Sequence, residues 1–483
     1  MADIGRSSIT RRTLVHGAAG ATLAYAGSAA VPGWARTLVA PKALRQPNSR
    51  PFPSKPVGAE SMPQIEHIAV VMMENHSFDN LLGMLPYRVK AKADVDGLPK
   101  NKKGQLTSFN PDASGNRIFS KHPGSPCQYE GKPSQSWNAS HISWDNGKND
   151  GFVRASGNVA MWFWERSDIP FTYSLAKYFP VGDRYFQSVL AQTYPNRRFL
   201  FSGTASGTIA TNSDTFSIPA ANGTIFDRLD EAKITWKDYF EDAPSPLIIP
   251  GAGNNRSANF VQGLDKFTAD AANGDLPQVT YVEPNYSTTS QEDPQDIQVG
   301  EQFLDTVVSS VLESPTWSKT ALFITYDEHG GYFDHVPPPK AIKPDDIPPM
   351  TQPGDQPGSY NRYGFRVPTI VVSPWAKPQY VSHRVQDHTS ILAFMERKWN
   401  LPAMTLRDAN ADPMTDYFDF SHAAFKKPPK LEAAPTLGPG LTKCSKHGLT
   451  PPLPPGTATP PGAGAGAPRG PGLPGLRARA RGL

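Results

Sequence analysis

Along residues 65–80, IEHIAVVMMENHSFDN, six apolar residues without alternation (68–73) end abruptly in Glu74, Asn75, His76, Ser77 and Asp79. An unbroken apolar run of this length is the pattern of a strand covered on both faces. The carboxyl end of such strands is where open α/β sheets collect their ligands. A turn that caps the following helix fits the same polar residues. Residues 321–334, ALFITYDEHGGYFD, repeat the plan: apolar up to Tyr326, then Asp327, Glu328 and His329, then Gly330 and Gly331. If the two strands are parallel neighbours, their ends bring hard oxygen donors within reach of one divalent cation.

The rest of the pattern alternates helices with short strands. Helices are predicted at 171–178, 225–229, 298–312 and 389–399, and buried strands at 234–239, 321–326 and 367–372. Such alternation predicts a layered α/β/α domain. In 191–203, AQTYPNRRFLFSG, Pro195 suits the first position of a helix running through Phe201, with Thr193 just ahead. That places a hydroxyl beside unpaired backbone N–H groups, where an anion is stabilised; a simple helix cap is the other reading of Thr193. Residues 87–136 lack periodicity and are expected to form loops over the site. In 136–152, SWNASHISWDNGKNDGF, aromatic and polar residues surround His141, the mixture of a substrate mouth or of a solvated loop.

Charge changes this picture at the two ends. The chain of 483 residues has a formal net charge of +4, but residues 1–36 carry +3 and residues 426–483 carry +8, which leaves −7 for the body. An acidic body argues against nucleic acid as a partner, since phosphate-backbone affinity requires clustered Lys and Arg. Arg11-Arg12 ahead of a mildly apolar stretch at 17–30 reads as a twin-arginine-type export signal over 1–36, giving a periplasmic or secreted protein. That stretch is too rich in Gly and Ala for a stable transmembrane helix, and no later segment is apolar enough to span a bilayer. Residues 37–62 form a Pro-rich linker or arm, 63–425 the catalytic domain, and 426–483 a Pro/Gly/Ala/Arg-rich tail expected to be disordered. Cys127 and Cys444 could pair in an oxidising compartment, but two cysteines exclude a disulfide framework.

Together Glu74, Asn75, Asp327 and Glu328 are the expected metal ligands, and Thr193 the expected nucleophile. His141, His329 and His335 are the expected proton carriers, with His76, His383 and His388 as further candidates. A divalent cation on such donors lowers the pKa of a hydroxyl and screens a phosphoryl group. Hydrolysis would then run by in-line attack, a phospho-threonine and its release by water.

MMENHSFDN, QTYPNR, YDEHGGYFDHV and the blocks FRVPTIVVSPWA and DHTSILAFMER resemble the bacterial phosphoesterase family of phosphatidylcholine-type phospholipases C and respiratory-burst-inhibiting acid phosphatases. The resemblance runs over 63–425. It implies an alkaline-phosphatase-like α/β/α sandwich with a largely parallel central sheet and loop insertions, and metal ligation by Glu74, Asn75, Asp327 and Glu328. It also implies a nucleophile at Thr193, where the phospholipases carry Thr and the acid phosphatases Ser. The expected partner is a phosphoester, with phospholipid at a membrane surface foremost and phosphomonoesters as the alternative; a non-catalytic binder of a phosphate ligand is the second alternative. One departure stands out: the family's usual His-Pro pair is replaced by Asp293-Pro294 in QEDPQD, so an imidazole contact to phosphate is lost. Thr193 to Arg197 also resembles the sulfatase signature, but Thr cannot supply the aldehyde which that chemistry needs.

Overall fold

Two mostly apolar strands set the frame, because each must be covered on both faces. In the computed structural model, which describes residues 43–128, 133–436, 473 and 475–481, they are β1 (His67–Met73) and a second strand, Thr320–Tyr326. They lie side by side in parallel, in step from His67 opposite Thr320 to Met73 opposite Tyr326. Glu74 and Asp327 therefore leave the sheet at the same edge, and the Asp327 N–H donates to Met73 O at 3.0 Å.

The other members of this sheet are β2 (Val181–Gly182), β3 (Trp236–Phe240), β4 (Phe260–Gln262) and β5 (Val279–Glu283). With Thr320–Tyr326 as β6, they are followed by β7 (Thr369–Val372) and β8 (Val381–Ser382). The order is β8-β2-β7-β6-β1-β5-β3-β4. All neighbours are parallel except β7, which runs antiparallel to both β6 and β2. The sheet is thus mixed and mostly parallel, with surrounding helices. Helix Thr193–Ser202 packs with His388–Trp399 and Ile225–Glu231, while Ile297–Glu313 packs with Leu264–Asn273 and Pro170–Tyr178. No helix among the described residues is long and apolar enough to cross a membrane.

Differences from the sequence expectations have local causes. The helix expected to begin at Pro195 begins at Thr193, with Gln192 in the capping position. Proline is tolerated throughout a first turn because the N–H it lacks has no intrahelical partner there. Residues 136–152, expected as loop, contain helix Trp137–Trp144, started by Ser136, whose Oγ accepts from the Ala139 N–H at 3.1 Å. In 87–136 the regular pieces are short ones, chiefly the hairpin of Phe109–Pro111 with Arg117–Phe119.

The Pro-rich segment preceding β1 lies against the end of His388–Trp399. The Gly58 and Ser61 N–H groups donate to the carbonyls of Trp399 and Lys398, and the Asn400 carboxamide serves Phe52, Lys55 and Pro56. Part of the segment read as a disordered tail is packed: the Ala434 N–H donates to Asp305 at 2.9 Å, and Leu476 is buried in a short helix, Leu476–Ala480. The export segment 1–36, Cys444 and residues 437–472 lie outside the described residues; Cys127 is disulfide-bonded.

Glu396, inside His388–Trp399, is a polar fault in this core. Its side chain is 1% exposed, neither oxygen receives a hydrogen bond, and Arg45 stands 3.9 Å away. Burial, then the neighbouring Asp408, raises its pKa well above that of a free glutamate, against weaker opposing effects of Arg45 and Arg228. Burial and the neighbouring acid both favour the protonated form of this carboxyl over the charged one. An acid whose folded pKa is raised binds more protons folded than unfolded, so it drains stability as pH rises above its ordinary value of 4.5. Glu396→Gln, which keeps a donor without a titrating proton, should melt higher than the parent at neutral pH, with the gain shrinking towards pH ~4; calorimetry across this range checks it.

Candidate active site at the strand ends

Strand β1 ends in a turn that no β-branched residue would tolerate. Asn75 has φ +69°, in the left-handed region that Asn enters more readily than most residues. Its carbonyl faces Gly330 so closely that a Cβ there would sit 2.0 Å from the Asn75 oxygen. Only glycine lets the two loops touch. Asp327 Oδ1 then accepts from the N–H groups of both Asn75 (3.1 Å) and Glu328 (2.7 Å), which joins the loops through one carboxylate oxygen.

Glu74, Asn75, Asp327 and Glu328 are all buried. The cation among them is Arg197, from the helix that begins at Thr193. Its guanidinium lies 3.5 Å from Glu74 Oε1 and 3.4 Å from Asp327 Oδ2, and donates to Met72 O at 3.1 Å and to Tyr286 Oη at 3.1 Å. Tyr286 passes its own hydrogen bond to Glu283, at the end of β5. Burial alone would lower the pKa of Arg197, but Tyr286, Asp327, Glu74 and Glu283 outweigh it and push the pKa up. Asp327 is raised by burial despite Arg197 and its two N–H donors.

This group is short of partners. Both polar atoms of the Asn75 carboxamide, and Asp327 Oδ2, are sealed from solvent without a hydrogen bond. Leaving such atoms unsatisfied costs about 1–3 kcal/mol each, so a cation bound to these oxygens would repay it. The donor set, carboxylates with one carboxamide oxygen, is that of a hard divalent ion. These residues fit the metal the sequence implies.

Thr193 is the first residue of its helix and 4% exposed, one turn before Arg197 and on the same helix face. His329 is fully buried beside Asp327 and Glu328, with Nδ1 3.1 Å from Gln187 Oε1 and 3.3 Å from Glu328 Oε2, and Nε2 without a partner. Burial lowers its pKa to about 3, so it is a neutral imidazole. His388, the first residue of helix His388–Trp399, sits equally deep, with Nε2 2.7 Å from Asp327 O and its pKa lowered by burial to about 3.

The remaining expected histidines lie elsewhere. His141 is on helix Trp137–Trp144, its Nδ1 2.7 Å from Trp137 O and its pKa lowered by burial to about 4. Among the described residues no hydrogen bond joins it to the strand-end carboxylates. His335 binds Asp79 through Nδ1 (2.7 Å) and Asp96 through Nε2 (3.0 Å). Burial would lower its pKa, but these carboxylates overcome that and raise it to about 10. Asp79, Asp334 and His335 are close enough to hold a cation by distance alone. Arg366 already stands there, 3.1 Å from Asp79 and 2.8 Å from Asp334, and a protonated His335 offers no lone pair. Asp79 follows the first ligand loop and Asp334 the second, so Arg366 clamps the two loops from behind. His76 is buried against Asn80 and Gln291, and His383 faces Asp183. Asp293 is buried and accepts from Tyr332 Oη at 2.6 Å.

The geometry adds residues that the patterns missed. Arg197 stands in the QTYPNR motif without a role of its own, yet it and its neighbour Arg198 are both buried within the helix that starts at Thr193. Gln187, Glu283 and Tyr286 gave no sequence signal, and Arg366 only its place in the FRVPTIVVSPWA block; Gln187 and Arg366 meet partners far along the chain, whereas Tyr286 and Glu283 are three residues apart.

The Phosphoesterase family model matches residues 65–402. Phospholipase C B of Mycobacterium tuberculosis is 31% identical over 461 residues, covering 82% of this chain and 86% of that one. Non-specific phospholipase C1 of Arabidopsis thaliana is 31% identical over 386 residues, covering 73% and 71%. Among solved structures, a protein in the alkaline phosphatase superfamily from Vibrio parahaemolyticus is similar at 9% identity and a TM-score of 0.39, covering 77% of this chain and 74% of that one. With its family match spanning most of the sequence and both strand-end motifs inside it, the chain belongs to the phosphoesterase family and is a phosphoric ester hydrolase.

Proposed function

We propose that the protein is an exported, metal-dependent phosphodiesterase of the phospholipase C type that works through a phospho-threonine at Thr193. The observation that carries the reading is a set of buried oxygens at two parallel strand ends: Asn75 Oδ1 and Asp327 Oδ2, neither hydrogen-bonded and the second 3.4 Å from the Arg197 guanidinium, beside Glu74 and Glu328. A divalent cation there would lower the pKa of the nucleophile and screen the phosphoryl charge. Thr193 supplies the attacking oxygen at a helix start, where the positive end of the helix dipole favours negative charge. Arg197 holds Glu74 and Asp327 in place and keeps positive charge beneath the phosphoryl position. His329, neutral and with a free Nε2 lone pair, suits proton transfer to and from the reacting oxygens; His141, neutral as well, suits the wall of the substrate mouth. His335, charged and doubly engaged, suits a tie between loops rather than a proton carrier. The helices fall into two packing groups around the sheet, which supports an alkaline-phosphatase-like α/β/α sandwich over 63–425.

Phosphodiesters, phospholipids among them, are preferred in this reading over monoesters. Phospholipase C names recur among the relatives, Thr193 matches the phospholipase form, and Asp293 stands where an imidazole would assist a dianionic monoester. The deciding experiment compares kcat/KM for phosphatidylcholine, a small diester and a simple monoester, with and without added divalent metal. A faster monoester assigns an acid phosphatase; no turnover of any assigns a binding protein.

Thr193→Val keeps shape and removes the oxygen, so activity should fall by about 10³-fold or more with an unchanged melting temperature; near-normal turnover would rule Thr193 out. Stripping divalent ions should lower both activity and melting temperature, because crowded buried carboxylates lose their counter-charge. Calorimetry before and after chelation measures the second effect without any assay. Asp293→His should raise monoesterase relative to diesterase activity, and an unchanged ratio would remove Asp293 from the account of specificity.

A further inference from the structure

Away from the strand ends, a cavity of about 500 Å³ is lined by Arg88, Val89, Lys90, Ala91, Arg166, Tyr173, Lys177 and Glu432. Its size is that of a ligand pocket rather than a packing defect. On a body carrying net negative charge, four cations around one opening are a local reversal. Arg88 is paired with Glu165 at 2.5 Å, and Arg166 with Glu432. Lys90 and Lys177 are exposed and meet no carboxylate within ion-pair distance among the described residues, leaving two positive charges uncompensated. The interior differs from the rim. Val89, Ala91 and Tyr173 make it apolar, and Tyr173, 1% exposed, has a hydroxyl sealed from solvent without a hydrogen bond.

Glu432 has a particular place here. Its N–H donates to Ser174 Oγ at 2.8 Å, which fixes the C-terminal segment across helix Pro170–Tyr178, and its carboxylate reaches Arg166 at the cavity edge. The chain thus sets one acid of its own among the cations.

We infer that this cavity is a second binding site, for an amphiphilic anion: a phosphate head at Lys90, Lys177 and Arg166, and an apolar chain along Val89, Ala91 and Tyr173. Two unpaired lysines match the two charges of a phosphate monoester head, and the apolar interior gives the chain a reason to enter. Glu432 competes with the head for Arg166, so the C-terminal segment tunes the site. This site stands whatever the substrate at the strand ends.

The test titrates the full chain with dodecyl phosphate below its critical micelle concentration, with inorganic phosphate and dodecanol as separate arms, by calorimetry. Saturable binding of dodecyl phosphate is expected, with both other probes at least about tenfold weaker. Lys90→Ala and Lys177→Ala should each weaken it by about tenfold, the loss of one charge-assisted contact, and Glu432→Gln should tighten it. Hydrolysis of a soluble ester should be unchanged in the three variants, which separates this site from the active one. Absence of saturable binding, or binding undiminished in the Lys90→Ala Lys177→Ala double variant, overturns the proposal. Inorganic phosphate binding as tightly as dodecyl phosphate overturns the amphiphile and leaves a simple anion site.

Discussion

The guanidinium of Arg197 is the charge on which the strand-end site is built. Three buried carboxylates, Glu74, Asp327 and Glu283, converge on the ends of β1, β6 and β5, and without a cation their repulsion in a dry interior would open the sheet edge. Arg197 is fixed by five further contacts, to Met72, Met73, Tyr286 and Ser245 and to the ring of Tyr286, so it cannot leave to solvent. Because it belongs to the helix that starts at Thr193, the same interaction that neutralises the carboxylates also sets the depth of the hydroxyl.

A second cation repeats the arrangement further back. Arg366 spans Asp79 and Asp334, each a few residues beyond a ligand loop, and donates to the Asp96 and Asp183 carbonyls as well. Removing either partner of such a pair leaves an uncompensated buried charge. The two strand-end loops are therefore braced at the front by Arg197 and behind by Arg366, which accounts for acidic residues this deep in the protein.

The strands and the two ligand loops were legible in the sequence because they obey local rules: unbroken apolar runs, then a change to polar residues, then glycines. Thr193 was legible through Pro195 and the helix that follows. Arg197 and Arg366 were not, since burial of an arginine depends on acids 123 and 32 residues away in the chain. The helix at 137–144 was hidden by its Asn, Ser and His content, which mimics a loop until Ser136 is seen as its cap. The C-terminal composition concealed the contacts of Glu432 and Ala434, because a few anchoring residues do not change a segment's average. Asp293 was seen as a departure, but its hydrogen bond from Tyr332 appears only when residues 39 apart meet.

The two N–H groups that share Asp327 Oδ1 have a mechanical consequence. Asn75 and Glu328 belong to different loops, yet neither amide can be released without disturbing the oxygen that holds the other. A displacement of the Asp327 carboxylate therefore frees both peptide N–H groups at once, one in each loop. Two segments whose key residues lie 253 positions apart in the chain thus share one fixed point, the Asp327 carboxylate.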